Sequence, residues 1–241
     1  MAATHTRGGD AAEQGGGHDQ PAHERGWLRR NALGVTCLAI FLVLLLGQSV
    51  TGWHASNADL EQHEQGPVSY LTYLGGGGFA EATFENWESE FLQMAALVVL
   101  TVFLVQKGSP ESKEPDDERD DDPFRHRHDP DAPWPVRHGG VWLVLYENSL
   151  FIAFVVLFAA SILGHAIGGT ADFNEEQELH GRGAISIWHF VTTSQFWFES
   201  LQDWQSEFLA VFAIVVLSIV LRQRGSSQSK AVWAPHGQTG D

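Results

Sequence analysis

FENWESEFLQM, residues Phe84–Met94, returns 117 positions later as LQDWQSEFLAV, Leu201–Val211, with W-x-S-E-F-L in common. Sliding the chain against itself by the same distance pairs Leu28–Lys113 with Leu145–Lys230 without a gap, and 28 of the 86 pairs are identical. Asn31/Asn148, Gly47/Gly164, Gly52/Gly169, Glu61/Glu178 and His63/His180 are among them. Self-similarity at so long a period constrains the architecture before any finer reading is made.

Each copy carries two apolar blocks. They are Ala32–Val50 and Phe91–Val105 in the first, Leu150–Ile167 and Phe208–Leu221 in the second. At 1.5 Å per residue about 20 residues cross a hydrocarbon core of about 30 Å. The second and fourth blocks must therefore borrow from their flanks, starting near Phe84 and Leu201. The expected fold is an all-α membrane protein with four transmembrane helices. Both hairpins enter from the same side, so they form two parallel two-helix repeats about a pseudo-twofold axis along the membrane normal.

Basic residues mark the cytoplasmic side of a membrane protein. Thirteen of the fourteen lie in the N-terminal tail, the middle segment or the C-terminal tail, and only Arg182 lies in the two remaining loops. Both termini are therefore expected in the cytoplasm of a plasma membrane. The parts read as a disordered tail (1–27), repeat 1 (28–106), an acidic Pro-rich linker (107–140), repeat 2 (141–224) and a second disordered tail (225–241). Ala32–Val50 is expected to stay as a helix and not to be cleaved as a signal, since its counterpart lies mid-chain. Trp87 and Trp204 are expected as interfacial anchors.

WESEF and WQSEF, within FENWESEFLQM and its second copy, resemble an uncharacterised family of bacterial integral membrane proteins known only as a domain of unknown function. The resemblance covers most of both repeats. It implies a multi-pass bacterial inner-membrane protein and supplies no activity, ligand or site residue.

Thirty acidic against fourteen basic residues, a formal charge of −16, argue against a nucleic-acid partner. The single cysteine, Cys37, excludes an internal disulfide framework. No P-loop, dinucleotide fingerprint or Ser/His/Asp arrangement is present, so neither an enzyme nor a cofactor is expected.

Three constellations remain. Glu90 and Glu207 each follow a belt tryptophan by three residues, and facing one another they would form a proton or cation site. The bland alternative is two acids favoured by the positive end of a helix dipole. Glu85 and Glu88 are expected among lipid headgroups. Glu61-x-His63 and Glu178-x-His180 carry metal-ligand chemistry, although surface hydrogen bonding explains a loop match equally simply. Finally, the two outer loops hold 14 acids against one arginine, a surface that gathers cations. The expected role is a structural or interaction component whose first partner is the lipid bilayer. The alternative is cation or proton translocation, for which four helices call for a homo-oligomer. An outward-facing metalloenzyme comes third.

Overall fold

A computed structural model describes residues 27–113 and 122–240. The N-terminal tail and most of the acidic run expected to be disordered lie outside the described residues. The described residues are helical and contain no strand. In chain order the helices are α1 (Trp27–Arg30), α2 (Ala32–Gln62), α3 (Tyr70–Leu74), α4 (Gly77–Phe103), α5 (Trp134–His138), α6 (Gly140–Glu147), α7 (Ser149–Leu179), α8 (Ile187–Phe190) and α9 (Ser194–Val220).

Two compact units divide the chain after Gln48. The first contains α1 and the opening turns of α2. There the Asn31 side chain donates to the Trp27 carbonyl at 2.8 Å. Asn148 does the same to Val144 at 2.8 Å. Its backbone, at φ −104° and ψ 8°, is close to helical, and its side chain makes no capping bond. A capping residue needs the extended conformation to aim its oxygen at the next free amides.

The second unit, from Ser49 onward, is built on α4, α7 and α9. The apolar blocks are only parts of these helices. α2 and α7 both run for 31 residues, and α4 and α9 both for 27. α2, α7 and α9 are long and apolar enough to cross a membrane. α4 falls short of the others because its apolar run begins only at Phe91, after Glu81, Glu85, Glu88 and Glu90.

Burial runs opposite to that of a water-soluble protein. Leu163, Phe212 and Leu209 are each more than 60% exposed, whereas Glu88, His165 and Ser200 are 0% exposed. Water would penalise such a surface; hydrocarbon would not. Tight helix packing is achieved through glycine. A Cβ on Gly168 would fall 2.5 Å from the Glu81 amide nitrogen, and one on Gly164 would enter the Phe84 ring. Gly77 likewise abuts α7 at Asp172. Small residues are the usual means by which helices in lipid bring their backbones together.

The loop segments form two short helices: α3 has five residues and α8 four. Ser69 and Ser186 cap them by accepting from Thr72 N at 3.2 Å and His189 N at 3.3 Å. Asn57 exchanges two hydrogen bonds with the Val68 backbone, and Asn174 two with that of Ile185. Gly75 ends α3 and Gly76 stands before α4.

Residues 225–240, expected as a disordered tail, fold back on the segment after α4. Gly108 N donates to Thr239 Oγ1 at 2.9 Å, and Gly240 N to the Ser109 carbonyl at 3.0 Å. Lys230, 2% exposed, donates from Nζ to the carbonyls of His236 and Gln238, each at 2.9 Å.

Candidate functional site

The close approach of α4 and α7 sets His165 against the acidic half of α4. Its Nδ1 lies 3.1 Å from Glu88 Oε2, and its Nε2 lies 3.4 Å from Glu199 Oε2 of α9. The other Glu88 oxygen accepts from Trp204 Nε1 at 3.1 Å. Phe196 stacks on the imidazole with centroids 4.7 Å apart and an interplanar angle of 30°. The histidine and Glu88 are wholly buried, whereas the Glu199 side chain is 20% exposed. One histidine thus joins three helices, with a carboxylate at each ring nitrogen.

Further acids surround this core. Glu81 lies beside Asp172, and Glu85 beside Asp203. Neither Lys nor Arg occurs in α4, α7 or α9, so His165 is the one residue of these helices that can offset six neighbouring carboxyls with positive charge. Glu81, His165 and Glu199 each present a ligand atom, and these atoms lie within 4.8 Å of one another. Two buried hydroxyls, Thr83 Oγ1 and Ser200 Oγ, lack a hydrogen-bond partner.

The residues singled out in the sequence fall elsewhere. Glu88 is a correction: the expected headgroup acid is buried, because the glycines of α7 let the helices close over it. Trp204, expected as an interfacial anchor, is half-buried and engaged with Glu88, and Trp87 is half-buried with its ring against Phe84. Glu90 is exposed and Glu207 half-buried, and the two lie within electrostatic reach of each other. His63 and His180 do meet, with ring centroids 6.2 Å apart. Each Nδ1 is bonded to a carbonyl one turn back, Asp59 at 3.0 Å and Glu176 at 2.8 Å. Glu61 and Glu178 are exposed and complete no three-ligand group with them among the described residues.

The arrangement defines a class: an all-helical protein with membrane-spanning helices and an ionisable centre buried among them. The chain belongs to the family described as "Domain of unknown function (DUF6766)", which matches residues 24–241. No curated protein and no solved structure matches the chain.

Proposed function

We propose that this chain is a multi-pass protein of the bacterial inner membrane that translocates a cation or a proton, with His165 between Glu88 and Glu199 as the central station. The observation that carries this reading is a fully buried histidine bonded at both nitrogens inside apolar helices. An ionisable group in such a place is costly, and it marks an ion or proton pathway by default.

Four helices cross in this reading, α4 being the span rich in acid. The matching lengths of α2 with α7 and of α4 with α9 support two parallel hairpins. His165 lies 16 residues beyond Ser149, about 24 Å along α7, and Glu88 lies 15 residues before Phe103, about 23 Å along α4. Both depths fall inside a hydrocarbon core of about 30 Å. Glu81 and Glu199 lie about 33 and 32 Å along their helices, at the outer boundary. Acids thus lead inward from the outer face to the imidazole.

Purified protein in proteoliposomes should carry H⁺ or a metal cation down an imposed gradient. His165→Ala and Glu88→Gln should abolish the flux, while Glu90→Gln should keep it. Absence of flux under gradients of H⁺, Na⁺, Mn²⁺ and Zn²⁺ overturns the proposal. The second reading, a structural component, draws on one observation: the same network ties α4, α7 and α9 together. It predicts that these substitutions lower thermal stability of a protein that carries no ion.

A further inference from the structure

We infer that Glu81, Glu199 and His165 Nε2 form a binding site for one divalent transition-metal ion, Zn²⁺ or Mn²⁺, with Glu88 as the residue that orients the histidine. The inference deepens the reading of this cluster as a cation site and rests on it.

Its first support is ligand geometry. A tetrahedral ion with bonds of about 2.0–2.1 Å holds neighbouring ligand atoms about 3.3–3.4 Å apart. His165 Nε2 and Glu199 Oε2 are 3.4 Å apart, and the Glu81 carboxylate lies within 4.8 Å of both. Closing the third ligand requires the Glu81 carboxylate to move toward the other two ligand atoms.

The second support is the environment of the histidine. A metal-bound imidazole commonly donates its other N–H to a carboxylate, which fixes ring and tautomer. Nδ1 donates to Glu88 Oε2 at 3.1 Å, and Glu88 is itself held by Trp204 Nε1 at 3.1 Å. A metal ion that displaces the Nε2 proton then meets a ring nitrogen directed toward Glu199 and Glu81.

The third support is space and charge. Gly169 stands where a Cβ would come within 2.7 Å of Glu81 Oε1, so the glycine makes room for this carboxylate against α7. Six carboxyls gather around one imidazole with no Lys or Arg in the three helices, so a divalent ion that displaces protons from them meets ligands of opposite charge and no competing cation. The imidazole selects against Ca²⁺ and Mg²⁺, which take oxygen ligands. Partial exposure of Glu199 gives the ion access.

The test uses the full chain purified in detergent and stripped with chelator, then equilibrated with Zn²⁺ or Mn²⁺ in excess Mg²⁺. Metal content after dialysis should reach one ion per chain. Co²⁺ substitution should give the visible absorption of a low-symmetry site with an imidazole ligand. Glu199→Gln and His165→Ala should lose stoichiometric binding, and Glu88→Gln should weaken it about 10–100-fold, the usual effect of removing an orienting carboxylate. Should His165→Ala fail to fold, the near-isosteric Glu199→Gln decides. Wild-type protein without stoichiometric metal overturns the inference, as does one ion per chain retained in Glu199→Gln. Retention that disappears in His63→Ala with His180→Ala would move the ion to that pair and equally overturn it. Metal bound without flux would reject translocation and leave this site standing, whereas proton flux in metal-free protein would do the reverse.

Discussion

At the scale of single residues, Trp204 and Gly169 show how the centre is held. Trp204→Phe keeps the aromatic body but removes the donor to Glu88 Oε1. Interhelical hydrogen bonds in membrane proteins contribute about 0.6 kcal/mol on average and up to about 1.7. This substitution should therefore lower stability by about 1 kcal/mol, read as the midpoint of unfolding in mixed detergent, while the chain still folds. Gly169→Ala acts on Glu81 instead: its Cβ meets both Glu81 Oε1 and the Phe190 ring. It should weaken metal retention at least tenfold. Unchanged retention would show that Glu81 is not a ligand. His165 was not legible in the sequence. One histidine at the end of an apolar run looks like any core histidine, and its partners lie 77 and 34 residues away. The repeat also drew the eye to identities, whereas the centre occupies differences: His165 pairs with Gln48, Glu88 with Gln205, Glu199 with Ala82 and Glu81 with Phe198. Shared residues such as His63 and His180 are in the loops, where a common turn needs them.

At the scale of elements, the apolar blocks located the helices but not their ends. Hydrophobicity reports only the part that contacts lipid. The polar turns of α4 and α9 are helical because they pack against neighbours, a tertiary effect with no local period. Gly164 and Gly169 of α7 stood out in the sequence only as positions shared by the two repeats, and nothing local marked Gly168 or the helix that would approach. That contact sets a prediction. Gly168→Val places branched carbon against the α4 backbone at Glu81 and Ala80, where no flexible side chain can yield. The helices must separate, so the variant should lose several kcal/mol or fail to fold, in line with other overpacked contacts. Leu163→Val on the same helix changes a side chain that is 61% exposed, and it should leave the unfolding midpoint nearly unchanged. Equal loss in both variants would mean that α7 is sensitive throughout, independent of the glycine contact.

At the scale of the whole molecule, the arrangement of charge supports the proposed topology. The segments after α4 and α9 carry Lys107, Lys113, Arg222, Arg224 and Lys230, and the tail around Lys230 binds back to Gly108 and Ser109. In the proposed topology those basic segments lie together on the cytoplasmic side, the side that retains basic residues. In the same topology the loops around Gly66 and Gly183, joined to the acidic starts of α4 and α9, face outward. Replacing Cys37 by serine gives a background without cysteine for Gly66→Cys and Gly183→Cys. In intact cells both should react with a membrane-impermeant maleimide, while Ser227→Cys should react only after permeabilisation. A C-terminal green fluorescent protein fusion should fluoresce, as it does only when folded in the cytoplasm. Were Gly66→Cys labelled and Gly183→Cys protected, the two hairpins would run in opposite directions. α4 would then not return to the side from which α2 entered, and Glu88 and His165 would no longer sit at the common depth of about 23–24 Å that brings them together.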